Sequence, residues 1–227
     1  MLHVVSYNIH SGRDLFWRKR LKHMSQTLLQ LGADVIGLQE VHQNSRYGYQ
    51  ADYLAGQLQY RAIFAPSIPL ADGGYGNAVL TRLPVCDSRI VTLPARTESR
   101  CVLQTTLLWK GGKIDVWVTH LSLKQVCRNE QLETLKRLIQ QSKDRPLILM
   151  GDFNTTKAAF PSLLVDCAQE TNNHLLPTLP SFQRRIDYLF ASPHWHIQQY
   201  NVIDVRWSDH VPLSARLELR EPPVPAR

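Results

Sequence analysis

The chain has 227 residues, a length that suits one large domain with room for a sizeable core. Its hydrophobic fraction of 44% and charged fraction of 20% are ordinary for a soluble globular protein. The formal charge of +7 and a pI near 9.4 favour anionic partners such as nucleic acid, phosphorylated small molecules or anionic lipid head groups. Cys86, Cys101, Cys127 and Cys167 are too widely spaced for a zinc site and read as buried thiols of a reducing compartment. MLHVVSYNIH lacks the features of a signal peptide, and no apolar run reaches the ~18 residues of a membrane helix. A soluble, cytoplasmic monomer is the expectation.

Leu2 to Asn8 reads as a first, central strand that delivers Asn8 and His10 to its carboxyl end. Leu21, Met24, Leu28 and Leu31 recur at helical spacing, so a helix is expected over Leu15 to Leu31, closed by Gly32. DVIGLQE is a second strand ending in Glu40. Ala51 to Leu58 suits a short helix and Tyr60 to Ala65 a strand, whereas Pro66 to Gly76, with its prolines and glycines, reads as a loop.

Strands follow at Asn77 to Thr81, Ser88 to Leu93, Cys101 to Trp109 and Lys113 to Leu121, the last two joined by a Lys-Gly-Gly turn. A helix over Val126 to Gln141 precedes the strand LILMGD. A weaker helical pattern covers Ala158 to Cys167, and Thr171 to Ser181 reads as a surface loop. Strands around Ile186 to Ala191, His196 to Val205 and Val211 to Leu219 complete a domain spanning 1–219, with 220–227 a proline-rich disordered tail. About ten strands, some hairpin-linked and others separated by helices, suit an α/β domain of two mixed sheets packed face to face with helices outside.

Polar residues end six apolar runs: Asn8, Glu40, His120, Asp152 with Asn154, Asp187, and Asp209 with His210. Taken singly, such residues are ordinary turn and cap chemistry. Six segments that each end this way are hard to explain by folding, because buried carboxylates cost several kcal/mol unless paired or metal-bound.

The motifs SYNIH, LQEV, GNAVLTR, THLS, GDFN, RIDYLF and SDHVPL, in this order over nearly the whole chain, resemble those of the endonuclease/exonuclease/phosphatase superfamily of DNase I-like phosphoesterases. The resemblance implies a four-layer α/β sandwich and Mg²⁺- or Mn²⁺-dependent hydrolysis of a phosphoester. Carried over by motif, Glu40 would hold the metal with Asn8 and Asp209 beside it. Asp152 and Asn154 would orient the attacking water, His210 and His120 would contact the scissile phosphate, and Asp187 would hold the His210 ring. Arg100 and His10 are secondary candidates for phosphate contact. His10 and His120 depart from the apurinic-endonuclease pattern, which has an acidic residue and a tyrosine there.

Mg²⁺ takes oxygen ligands at ~2.1 Å and keeps several waters, so one or two carboxylates suffice. A nuclease-like phosphodiesterase acting on nucleic acid is the leading expectation. The alternatives are a phospholipid or sphingomyelinase-like phosphodiesterase, a small-molecule phosphatase, or an inactive module that binds phosphate ligands. Arg13 to His23 joins five Lys/Arg residues to Phe16 and Trp17. It reads either as a grip on an anionic polymer or membrane surface, or as a helix with its aromatic residues in the core. The loops Pro66 to Gly76 and Thr171 to Ser181 are expected to flank the site and set substrate choice.

Overall fold

The computed structural model describes residues 1–220. In chain order the elements are β1 (Leu2–Asn8), α1 (Leu21–Leu31), β2 (Val35–Asn44), β3 (Gly48–Tyr49), α2 (Gln50–Leu58), β4 (Arg61–Leu70), β5 (Gly73–Thr81), β6 (Val85–Leu93), β7 (Arg100–Trp109) and β8 (Gly112–His120). They continue with α3 (Gln125–Gln141), β9 (Leu147–Asp152), β10 (Val165–Asp166), α4 (Cys167–Glu170), β11 (Asp187–Ala191), β12 (Trp195–Val202) and β13 (Leu213–Leu219). Two mixed sheets result. One has the order β12-β13-β1-β2-β5-β4 with β3 paired to β2, the other β10-β11-β9-β8-β7-β6.

Each sheet has one parallel pair, β1 with β2 and β8 with β9, bridged by α1 and α3 respectively. A parallel pair needs a crossover rather than a tight turn, and the amphipathic helices supply it. Burial follows the strand period of two. Val4 of β1, Val35 of β2, Val118 of β8 and Met150 of β9 meet between the sheets, while Val5, Ile36 and Leu38 face Met24 and Leu28 of α1 and Leu54 of α2. On the other sheet Trp117, Leu147 and Leu149 face Leu135 and Ile139 of α3. Helix, sheet, sheet and helix form the four-layer sandwich expected from the sequence.

Four local readings are corrected. The first helix starts at Leu21, not Leu15; the preceding segment turns back on itself through an Arg13–Lys19 bridge, leaving Phe16 and Trp17 exposed. Pro66 to Gly76 is a hairpin formed by β4 and β5. β4 lies at the sheet edge, where proline is tolerated, and Gly73 and Gly76 are packing glycines: a Cβ on either would stand 2.0 Å from a backbone carbonyl oxygen. Of the expected helix Ala158 to Cys167 only Cys167 is helical; turns lead through β10 into the short α4, capped by Asp166. Cys86 is exposed, whereas the other three cysteines are buried as free thiols.

The tail expected from 220 lies, from residue 221, outside the described residues; Arg220 itself donates its N–H to the His194 carbonyl at 2.8 Å. Among the described residues no helix is long and apolar enough to cross a membrane.

Candidate active site

The inward register of the strands places polar side chains between the sheets at one end. Ile148 and Met150 face inward on β9 and Asp152 is next in the alternation; Val116 and Val118 lead in the same way to His120 on β8. Leu189 and Ala191 put Asp187 on the inner face of β11, and Val4 puts Asn8 there on β1. Glu40 arrives differently. A bulge between Leu38 and Val41, with Glu40 at φ +58°, breaks the alternation and re-aims its carboxylate.

Asp152 is the meeting point. Its Oδ2 accepts from Asn8 Nδ2 at 3.1 Å and lies 3.6 Å from His120 Nε2 and 3.7 Å from His210 Nε2. Its Oδ1 accepts the Asn154 backbone N–H at 2.8 Å. Asn8 Nδ2 also donates to Glu40 Oε1 at 3.0 Å. Asn154, at φ +51°, anchors its side-chain amide on the Leu121 carbonyl at 2.9 Å, joining the GDFN turn to the end of β8.

The two imidazoles sit in opposite electrostatic settings. An arginine can only donate, so the 3.4 Å contact from Arg100 Nη1 makes His120 Nδ1 an acceptor and leaves a hydrogen on Nε2, towards Asp152. Burial, Arg100 and His210 all push the His120 pKa well down, so its ring is neutral. For His210, burial opposes the charge, but Asp187 and Asp152 outweigh it and raise the pKa, which favours imidazolium. Asp187 Oδ2 lies 2.8 Å from His210 Nδ1. Burial and the nearby Asp187 raise the Asp152 pKa, against the opposing effect of His210.

Asp209 is held by its neighbours in the loop and by His10. Its Oδ1 accepts the His210 N–H at 3.1 Å and lies 3.6 Å from His10 Nδ1, while His10 N–H donates to Asn8 Oδ1 at 3.0 Å. Ser208 donates to the Asn8 carbonyl at 2.8 Å and holds this loop on β1. Arg100 is buried behind His120, with Nη2 on Glu98 Oε2 at 2.8 Å.

Two participants carried no signal in the sequence. Thr178 is fully buried; its hydroxyl donates to Asp187 Oδ2 at 2.6 Å and accepts the N–H groups of Ile186 and Asp187, both at 3.0 Å. It sits inside the segment expected to be a surface loop. Tyr75 places a phenol beside Glu40, and burial together with that carboxylate raises its pKa.

The donor set fits a hard divalent cation. Glu40 and Asp152 each bring a carboxylate oxygen within 4.8 Å of the other and of a His120 ring nitrogen, and with its hydrogen on Nε2 His120 stands beside such an ion as a donor, not as a ligand. Glu40 and Asp152 share one amide donor, and among the described residues no lysine or arginine forms an ion pair with either. Asp152 has the His210 ring 3.7 Å away, whereas Glu40 forms no ion pair among the described residues, and a carboxylate so placed is stabilised by a cation beside it.

The sequence profile of the Endonuclease/Exonuclease/phosphatase family matches residues 5–210. The chain belongs to this family. No curated protein sequence matches it. Among solved structures it is similar to an endonuclease/exonuclease/phosphatase from Beutenbergia cavernae, with 23% identity, TM-score 0.79, and 96% of this chain and 71% of that one covered. A mannosyl-6-phosphatase from Bacteroides thetaiotaomicron matches at 20% identity and TM-score 0.79, covering 96% of this chain and all of that one. TDP2 from D. rerio, complexed with single-strand DNA product, matches at 19% and TM-score 0.76, covering 96% and 98%. Endonuclease/exonuclease/phosphatase members are hydrolases of phosphoester bonds, and at these identities the likeness carries the fold alone.

Proposed function

We propose that the protein is a divalent-metal-dependent phosphoesterase that hydrolyses a phosphodiester by in-line attack of water, with nucleic acid as its substrate class. The observation that carries this reading is the one cluster in which Asn8, Glu40, His120, Asp152, Asp187 and His210 meet from six strands and loops. Glu40 and Asn8 would hold Mg²⁺ or Mn²⁺, with Asp209 alongside. Bound there, the cation supplies neutralising charge to the phosphoryl oxygens.

Asp152 accepts the proton of the attacking water. Its position suits that task, because Asn8 and Asn154 fix the carboxylate at the point that both imidazoles face. Asn154 keeps Asp152 in place through the backbone N–H on Oδ1. His210, held as imidazolium by Asp187, faces the negative charge that develops on the phosphoryl group. His120 offers a neutral Nε2–H from the other side, fixed in that tautomer by Arg100, so Arg100 acts through His120. The charge of +7 favours a polyanion as substrate.

The test is hydrolysis of plasmid DNA, single-stranded DNA, RNA, bis-p-nitrophenyl phosphate and sphingomyelin with Mg²⁺ or Mn²⁺, by the wild type and by Asp152→Ala. Metal-dependent turnover that the variant loses is the expected result. No turnover on any substrate, or equal turnover by the variant, overturns the reading.

A further inference from the structure

The turn after β1 holds an indole out in water. Trp17 is 62% exposed and Phe16 73%, yet the turn that carries them is built rigidly. Buried Asp14 accepts the backbone N–H groups of Phe16 and Arg18 at 2.9 and 3.1 Å, and the Nε of Arg18 and Arg20 at 2.7 and 2.9 Å. Trp17 N–H donates to the Asp14 carbonyl at 2.9 Å, and Arg13 Nη1 donates to the Trp17 carbonyl at 2.6 Å. Trp17 has φ +62°. A bulky residue keeps such a strained backbone only where its surroundings over-determine it, and strain of this kind clusters at functional sites.

The Trp17 ring lies 4.9 Å from that of His10, whose N–H is bonded to Asn8. It also lines a groove of about 660 Å³ together with His42, Tyr47, Tyr49 and Tyr53. His42 stacks on Tyr47 at 4.5 Å and lies 5.0 Å from Tyr75, the phenol beside Glu40. Two aromatic series therefore lead from the candidate site into one groove, from Asn8 through His10 to Trp17 and from Glu40 through Tyr75 and His42 to Tyr47. Arg13 and Lys19 also line it, and no acidic residue does.

We infer that this groove binds a nucleobase of a single-stranded substrate next to the scissile phosphate, with Trp17 and Tyr47 as stacking faces and Arg13 and Lys19 on the flanking phosphates. The location of the scissile phosphate rests on the phosphoesterase reading. Every base has a π-face, so aromatic stacking beside cations is the general chemistry of sequence-tolerant single-strand binding. A sugar could also lie on the rings, but a groove with two cations and no carboxylate to accept from hydroxyls suits a phosphate polymer better.

Binding is read without turnover, in EDTA, as quenching of tryptophan fluorescence by an oligothymidylate of about ten nucleotides. An abasic oligomer of equal length and phosphorylated mannose serve as comparison ligands, and phosphatidylglycerol vesicles as a comparison surface. Oligothymidylate should quench and bind more tightly than the abasic strand. Trp17→Ala and Tyr47→Ala should each weaken it by ~5- to 150-fold with little effect on the abasic strand, and Trp17→Phe should remove most of the quenching.

Equal binding of the two strands, or equal weakening of both by the variants, overturns the inference in favour of charge alone. A response to mannose phosphate or to vesicles with none to oligothymidylate overturns it in favour of those partners. Metal-dependent hydrolysis of bis-p-nitrophenyl phosphate by the wild type separates the two readings. Hydrolysis without base-dependent binding removes only the groove assignment, and base-dependent binding without hydrolysis of any substrate removes only the enzyme.

Discussion

Asp187 Oδ2 and His210 Nδ1 lie 2.8 Å apart on two buried side chains that reach each other from β11 and from the loop before β13. The same Asp187 oxygen accepts the Thr178 hydroxyl, so the carboxylate is fixed before the imidazole meets it. The far nitrogen of His210 points at Asp152. An acid, its support and a base thus lie in one line.

Asp187→Asn keeps the shape of this line and removes the charge that sustains the imidazolium. Its kcat should fall by about 10²- to 10⁴-fold, with far-ultraviolet circular dichroism unchanged. Thr178→Val strips a partner from Asp187 and leaves two buried N–H groups unpaired, so it should cost ~2 kcal/mol in urea unfolding as well as activity. An Asp187→Asn enzyme of wild-type kcat would contradict the assignment.

Gly151 precedes Asp152 with φ +150°, and a Cβ there would stand 1.9 Å from the Thr119 carbonyl oxygen. Because that contact is backbone to backbone between the paired strands β8 and β9, no side-chain rotation relieves it. Gly151→Ala should lower stability by about 3 kcal/mol or more and displace Asp152. A variant with wild-type melting temperature would show that the two strands separate more easily than their pairing indicates.

Metal binding should register as stability. A site that takes Mg²⁺ or Mn²⁺ only in the folded state gains about 2.7 kcal/mol at 100 times its Kd, seen as a rise in Tm with added metal and its reversal by EDTA. Glu40→Gln should lose most of that rise, because Glu40 is the least compensated carboxylate of the site. An undiminished rise in the variant would place the ion elsewhere.

His3 provides a pH dependence unconnected with catalysis. It is buried on β1, 2.8 Å from Ser214 Oγ, and faces Asp34, Arg82 and Arg216. Burial, followed by Arg216, holds its pKa below the ordinary 6.5. The unfolded chain therefore binds the extra proton first, so this contribution to stability is complete above pH 6.5 and is lost as pH falls towards the folded pKa. The Tm should drop between pH 7 and 5, and His3→Gln should drop less over that range. An equal drop would assign the acid sensitivity to other groups.

Much of the site was legible in the chain because its members end apolar strands, and a strand end is a local pattern. The period of two also determines orientation: once Ile148 and Met150 face inward, Asp152 must follow. Glu40 was also read as a strand end, but β2 continues to Asn44 and a bulge breaks the period at Glu40, so alternation alone does not orient it. Thr178 was unreadable, since nothing in TNNHLLPTLPS distinguishes a buried threonine from an exposed one. The glycines of the β4–β5 hairpin were misread because glycine signals a turn and a close backbone approach equally well.

The sequence by itself determined the alternation of strands and helices, the polar residues at the strand ends and the family they belong to, because these follow from local periodicity and short motifs. The tertiary structure alone decided which imidazole carries the charge. His120 is neutral because Arg100 and burial surround it, and His210 is favoured as imidazolium because Asp187 and Asp152 do. It also decided that Trp17 stands in solvent, held by Asp14, rather than in the core. Charge state and exposure depend on neighbours that chain order leaves far apart: Asn8 and Asp152 are separated by 144 positions, and only the packing of one sheet on the other brings them to 3.1 Å.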